Sequence, residues 1–472
     1  MRSDRTNRVT ALLLEVPGDG RPMHERLTGA IRAAIAQGRL GPGHLLPSSR
    51  ALATELGCSR WVVNEAYVQL TAEGHLETRQ GSGTRVAADP AVCAAAPPAG
   101  GAVDPEPPAW HADLRPGAPD VHQFPAAAWL RCLHHVLTDP GWSPPVFAPP
   151  AGAPRLRQTV AAYLRRARGI PVDGDDVVIT CGTSHGMAAV ARVLASTAAE
   201  AGVAVEDPGW FRLREVAAAA GLRPEPVAVD EHGIDVRAVG RAGVAAVVCA
   251  PAHQFPTGAL LSPERRRALL AWASRTGGVI VEDDYDAEFR YDGRPVGALA
   301  GLGRDHVVHL GSVSKTLHPG LRLGWLVPPP ALRGALLAAV ATSGAGPGVP
   351  EQLAFAHFVE SGGYDRHLRR MRRTYRLRRD ALLHALHDHG RAVRPDAVPG
   401  IAAGLHVTVP LPPGSDEHAV VGRLAGLGVT AIPLSRYTIR PRPPALVLGF
   451  GRLSPSRAGW VAGRLAAALT DG

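Results

Sequence analysis

Five apolar runs in the middle of the chain limit what it can fold into: DVVIT at 176–180, GVAVE at 202–206, AAVVCA at 245–250, GVIVED at 278–283 and VVHLGS at 307–312. They lack the polar alternation of a half-solvated strand, and alanine-rich stretches of helical spacing separate them. Apolar strands that alternate with helices have both faces covered, so this region is expected to form a mostly parallel α/β sheet. In open sheets of that kind a ligand sits beyond the carboxyl ends of the strands. The chemistry therefore depends on the segment after each run, and those segments read CGTSHG, DPGW, PAHQFPTG, DDYD and VSK.

Lys315, after the fifth run, is the only lysine among the 51 lysines and arginines of the sequence. Arginine can replace lysine in an ion pair, but its delocalised charge cannot become a nucleophile, whereas a desolvated amine can lose its proton and form a Schiff base. A primary amine is thus required at 315. Ser312 ends the preceding strand, and Arg322 offers a planar fork of donors to a phosphate. The turn Gly182–Thr183–Ser184 opens a helix whose free amides can hold the same anion. The pattern Ser-x-Ser-Lys, then Pro-Gly-x-Arg-x-Gly, resembles the pyridoxal phosphate (PLP) site of fold-type I aminotransferases. That resemblance implies PLP as cofactor on Lys315, with Ser312 and Arg322 on its phosphate. Trp210 can then stack on the ring, Asp283 can pair with the pyridine nitrogen, and Tyr285 can reach the ring hydroxyl.

Residues 1–87 obey other rules. Leu27, Ala30, Ile31, Ala34 and Ile35 recur at helical spacing along 24–37. Ser48 or Ser49 can cap a second helix that stops at Gly57, and Ser59 a third, RWVVNEAYVQLTAEG. Two capped helices joined by a short turn make a helix-turn-helix. In the third helix Val62, Ala66 and Leu70 are expected to face inward, leaving Arg60, Trp61 and Asn64 free for a groove. HLETRQGSGTRV then alternates about a turn at Gly81 to Gly83, as a two-stranded wing would. Residues 38–86 resemble the GntR-type DNA-binding domain. By that resemblance Ser49, Arg50, Ser59, Arg60 and Asn64 would meet double-stranded DNA, with Gly81, Gly83 and Arg85 in the wing. Residues 88–113, dense in Pro, Ala and Gly, are expected to be a linker.

The two halves in this order resemble the MocR/GabR family of bacterial regulators, in which a GntR-type reader is fused to an aminotransferase-like effector domain. The expected fold is an N-terminal winged helix-turn-helix, then over 114–472 a fold-type I aminotransferase-like domain with a small C-terminal α+β subdomain. The resemblance implies a PLP-dependent transcriptional regulator, usually a head-to-tail homodimer, that binds a DNA operator and senses PLP or a small amino compound. Net turnover is not expected; the alternative is a working aminotransferase whose N-terminal domain is an accessory. Three positions depart from the aminotransferase pattern. Phe255 stands where an asparagine usually contacts the cofactor's ring oxygen. Phe147 stands where a tyrosine often serves the partner's phosphate. The run LVLGFG at 446–451 lacks the usual carboxylate-binding arginine, which leaves Arg436 as the local candidate for an effector carboxylate, or as an ordinary surface arginine.

At 472 residues two or three domains are expected, and a net charge of +9 permits a polyanionic partner without requiring one. Five scattered cysteines, none in C-x-x-C spacing, indicate neither a disulfide framework nor a zinc site, and the histidines show no metal-ligand spacing. No long apolar run suggests a membrane span or leader, so the protein is expected in the cytoplasm. RHLRRMRRTYRLRRD at 366–380 is expected to be an amphipathic helix with Leu368, Met371 and Tyr375 inward and a wet basic face.

Overall fold

Apolar residues collect into two separate bodies on either side of the proline- and alanine-rich stretch. A computed structural model describes residues 7–9, 14–79, 83–87, 111–141, 149–197, 201–293, 296–389 and 398–470. The chain divides into the units Met1–Pro108 and Ala109–Gly472.

In the first unit, the helices Met23–Ala36, Ser49–Leu56 and Arg60–Ala72 share one core. Ser48 caps the second helix by accepting from the Ala51 amide at 3.2 Å, so Ser49 is already its first residue. Gly57, at φ +63°, ends that helix in the left-handed region, where glycine costs least. The third helix, Arg60–Ala72, buries Val63, Ala66, Tyr67 and Leu70. The expected inward residue Val62 is only half-buried. Tyr67 accounts for the difference: its hydroxyl reaches the Pro47 carbonyl at 2.9 Å and turns the buried face toward Val63.

The wing is the antiparallel pair Leu76–Arg79 and Gly83–Val86. Its outer strand is also held by His44 and Leu46, through Val86 N to His44 O at 2.9 Å and Leu46 N to Thr84 O at 2.8 Å. The tip, with Gly81, lies outside the described residues. An unforeseen antiparallel pair, Asn7–Val9 with Leu14–Val16, places Val16 in the same core.

The second unit holds an eight-stranded sheet. From one edge the order is Val178–Thr180, Gly324–Val327, Val307–Ser312, Val279–Asp284, Ala246–Cys249, Gly202–Asp207, Arg223–Asp230 and Gly233–Ile234. All five expected runs are strands in it. Gly324–Val327 is antiparallel to both its neighbours, and Gly233–Ile234 is antiparallel to Arg223–Asp230. These exceptions come from short connections: an 11-residue excursion carrying Lys315 separates Val307–Ser312 from Gly324–Val327, too short for a crossover helix, so the chain returns antiparallel.

A smaller antiparallel sheet of His406–Pro410, Ala445–Gly449 and Ile432–Pro433, with the helices Glu417–Gly426 and Ala458–Thr470, forms the C-terminal part. Ala112–Asp113 pairs in parallel with Val429–Thr430. The expected linker over 88–113 therefore overruns at its end, because residues 112–113 find a strand partner that only the fold supplies; residues 88–110 lie outside the described residues. The arginine-rich helix spans Gly363–Asp388 and buries Leu368, Met371 and Tyr375. Its basic face is only partly wet. Arg378 binds Asp120 at 2.7 Å, Arg372 the Glu288 carbonyl at 2.9 Å, and Arg370 the Gln123 carbonyl at 2.7 Å. No helix among the described residues is long and apolar enough to cross a membrane.

A candidate cofactor cavity at the strand ends

The strand ends of the second unit surround a cavity of about 270 Å³. Gly182, Thr183, Ser184, Trp210, Asp283, Tyr285, Ser312, Lys315 and Arg322 all line it, although the sequence separates the first from the last by 140 positions. Parallel strands make this convergence possible, since each delivers its following loop to the same edge of the sheet.

Lys315 is half-buried, and its Nζ donates to the Gly117 carbonyl at 2.6 Å. Burial pushes its pKa below the usual lysine range, against the opposing pull of Asp286 and Asp283. Gly117, which sequence reasoning passed over, sits at φ +69°, and a Cβ there would stand 3.2 Å from Nζ. The only signal for it was the Pro-Gly turn at 116–117.

Glu282, Asp283 and Asp284 are three consecutive buried acids. Strand alternation sends the outer two to one side. There Glu282 accepts from the amides of Leu299 and Ala300 at 2.6 and 3.0 Å, and Asp284 takes a bidentate pair from Arg168 at 2.6 and 2.8 Å. Asp283 faces the cavity, and its buried Oδ1 has no hydrogen-bond partner. Burial, then its neighbours Asp284 and Asp286, push its pKa up to about 7. A buried polar atom without a partner is costly, and a cationic N–H donor would relieve it.

At the other end of the cavity the Arg322 guanidinium has no hydrogen bond or ion pair among the described residues, while its backbone amide donates to the Pro319 carbonyl at 3.3 Å and its φ of +48° is the only positive value among their non-glycine residues. The N-terminus of the helix Thr183–Thr197 opens beside it. Gly324 lets the strands close there, since its Cβ would stand 2.7 Å from the Gly182 Cα. A free guanidinium, two hydroxyls and unused helix amides form a site for a phosphate. Trp210 is 37% exposed, with its ring edge-on to Phe255 at 5.3 Å and stacked on Tyr437 at 6.1 Å. The donor set suits PLP: an amine for its aldehyde, an unpaired carboxylate for its ring nitrogen, an aromatic face and an anion site.

Arg436 is not among the residues lining the cavity. The turn Leu434–Tyr437 buries Leu434 and Tyr437 and so directs Arg436 outward, where its guanidinium lies 5.2 Å over the Phe211 ring. The arginines that do line the cavity, besides Arg322, are Arg212 and Arg214. Glu206, also overlooked, lines it as well; burial pushes its pKa up to about 8. Phe147 lies outside the described residues. His253, Asp286 and His406 bring ligand-type atoms within 4.8 Å of one another, a grouping that sequence spacing could not show because 153 positions separate its ends.

In the first unit Arg50, Ser59, Arg60, Asn64 and Gly83 are exposed, and Ser49 and Arg85 are half-buried. Arg60 Nε donates to Ser49 Oγ at 3.2 Å, tying the second helix to the third. Trp61 is 60% exposed and meets the His24 ring at 5.6 Å.

Residues 23–86 match the family of bacterial regulatory proteins called gntR, and residues 145–409 match class I and II aminotransferases. The chain is 33% identical over 449 residues to the HTH-type pyridoxine biosynthesis transcriptional regulator PdxR of Corynebacterium glutamicum, covering 95% of this chain and 96% of that one. It is 32% identical over 465 residues to the probable rhizopine catabolism regulatory protein MocR of Rhizobium meliloti, covering 92% and 91%. Among solved structures, the kynurenine aminotransferase of Pyrococcus horikoshii in complex with PMP superposes with a TM-score of 0.69 at 25% identity, over 76% of this chain and 90% of that one.

Proposed function

Since the chain belongs to the MocR-type helix-turn-helix transcriptional regulators, with a GntR reader and a class I and II aminotransferase domain, we propose that it couples operator binding to PLP held at Lys315. The observation that supports this most is the convergence of a half-buried amine, an unpartnered carboxylate and a free guanidinium on one cavity. When bound, PLP supplies an aldehyde that joins reversibly to a primary amine, and an electron-withdrawing ring. Lys315 provides the amine. Arg322, Ser312 and the amides of Thr183 and Ser184 hold the phosphate, Asp283 retains a proton on the ring nitrogen, and Trp210 covers the ring from water.

The effector is PLP itself or an amino compound that competes with Lys315 for it. The relative named for pyridoxine biosynthesis favours PLP. For an effector carboxylate the available cations are Arg212 and Arg214 instead of Arg436. Ser49, Arg50, Ser59, Arg60, Asn64, Gly81, Gly83 and Arg85 form the DNA surface. The head-to-tail homodimer and the cytoplasmic location belong to the same proposal.

Gel-shift titrations of the operator with and without PLP, on wild type and Lys315→Ala, test it. Affinity is expected to change with PLP in the wild type only, and indifference in both would remove the coupling. Borohydride reduction and peptide mapping are expected to find the label on Lys315. Because the amine, Asp283 and Tyr285 are all in place, turnover of an amino acid with a 2-oxo acid is the second reading. Steady release of both products without any DNA footprint would select it.

A further inference from the structure

The outward face of the third helix is apolar where a wetted helix is polar. At about 100° per residue, Val63, Ala66, Tyr67 and Leu70 centre the buried face roughly opposite Trp61, and Val68, two turns on, returns to within about 20° of Trp61. Both are open to solvent, Trp61 at 60% and Val68 at 65%. Arg60, Asn64 and Glu65, also exposed, flank that line. Tryptophan is mostly buried in folded chains, so a ring held out at the middle of this face marks a contact with another molecule.

The ring is braced in place. It meets the half-buried His24 ring of the first helix edge-on, with centroids 5.6 Å apart and planes at 65°. Trp61 stands in the first turn of its helix, and in a helix-turn-helix that end reaches the base edges. The charges agree with such an approach: Arg60 begins the helix, no acid stands in its first turn, and Glu73 closes the far end, paired with Arg32 at 2.7 Å. On the floor of a major groove the apolar substituent on offer is the 5-methyl group of thymine, set among hydrogen-bond donors and acceptors.

We propose that Trp61 is a specificity-determining residue of the reader: its ring packs on the 5-methyl group of a thymine in the major groove and so selects thymine at one position of the operator. The proposal rests on operator binding by the first unit and names what Trp61 adds to it. Polar neighbours on the same helix can supply hydrogen bonds to base edges, but those bonds do not sense a methyl group. The indole does, because burying that group against it removes apolar surface from water on both sides.

For the test, the full-length protein selects a duplex from a random pool, with and without PLP, and each constant thymine of that duplex is replaced in turn by deoxyuridine. The exchange removes the methyl group and leaves the hydrogen-bonding edge unchanged. Wild-type affinity is expected to fall about four-fold at the thymine in contact, the worth of one methyl group. Trp61→Ala is expected to bind the thymine duplex more weakly and to be indifferent to uracil there, so the two changes do not add. Trp61→Phe, which keeps an aromatic face, is expected to retain most of the uracil response. Affinity for an unrelated duplex at low salt is expected to stay at the wild-type value in both variants, which shows that the reader is folded; where Trp61→Ala fails that check, Trp61→Gln takes its place with the same expectation. A uracil penalty that persists in Trp61→Ala overturns the proposal, as does a wild type indifferent to uracil at every position or a selected duplex without a constant thymine. Trp61→Ala that binds every duplex like the wild type but changes the oligomeric state makes the ring a protein contact and overturns it too. A wild-type chain that enriches no duplex at all overturns the operator reading itself, which separates the two failures.

Discussion

Asp283 is the residue on which the chemistry of the cavity turns, because the fold satisfies both acids beside it and leaves it alone. Its pKa is raised from the ordinary 3.8 to about 7, so the folded chain binds this proton more tightly than the unfolded one. Its contribution to stability is therefore full below about pH 4 and is lost as pH rises through about 7. The cofactor-free protein is expected to melt at a lower temperature at pH 8 than at pH 5, with a smaller difference in Asp283→Asn. Glu206, raised in the same direction, leaves part of the slope in place. Adding PLP is expected to restore more of the melting temperature at pH 8 than at pH 5. A slope unchanged in Asp283→Asn would show that another group causes it. Lys315→Arg keeps the positive charge and removes the nucleophile, so it is expected to fold normally and stay colourless with PLP. Both residues were legible in the sequence, the lysine by its singularity and the aspartate by its place at a strand end. Gly117 and Glu206 were not, since a backbone carbonyl that meets an amine 198 positions away leaves no local pattern.

At the scale of elements, local signals set the ends of the reader helices and tertiary contacts set their rotation. The Ser48 cap and the left-handed Gly57 bound the second helix, as serine and glycine at those positions suggest. Ser48→Ala is expected to cost about 1 kcal/mol of the reader's stability in chemical denaturation. The third helix shows the limit of local signals: its apolar spacing predicts Val62 inward, whereas the structure buries Val63, with the Tyr67 hydroxyl held on the Pro47 carbonyl. Arg60 stays exposed beside Ser49 and Arg50, where it can meet a phosphate. Arg60→Ala is expected to weaken binding evenly across DNA sequences and to reduce the salt dependence of log K by about one ion, measured by titration at several salt concentrations. Asn64→Ala is expected to weaken binding in a sequence-dependent way. Equal losses on every sequence would instead make Asn64 a backbone contact.

At the scale of the molecule, two units with separate cores share one chain. Each core closes without a residue from the other, so a chain ending at Pro108 is expected to keep operator binding and lose every response to PLP. A fragment whose affinity still moves with PLP would place the sensor outside the cavity. Within the second unit the parallel strands gather the loops after them at one edge, and the antiparallel return at Gly324–Val327 brings Arg322 back beside Gly182.

The sequence by itself determined the two-part organisation, the strand runs, the Ser48-capped helix and most of the cavity's residue types; Ser59 stands at the start of the third helix but makes no side-chain cap bond. Those come from hydrophobic periodicity, capping chemistry and side-chain reactivity, all of which act over a few residues. The tertiary structure decided which side chains turn inward and which acids go unpaired. It placed Arg436 outside the cavity and Arg212 and Arg214 along it, and it brought His253, Asp286 and Tyr285 together. Those outcomes depend on contacts between residues far apart in the chain, where burial and the supply of hydrogen-bond partners decide.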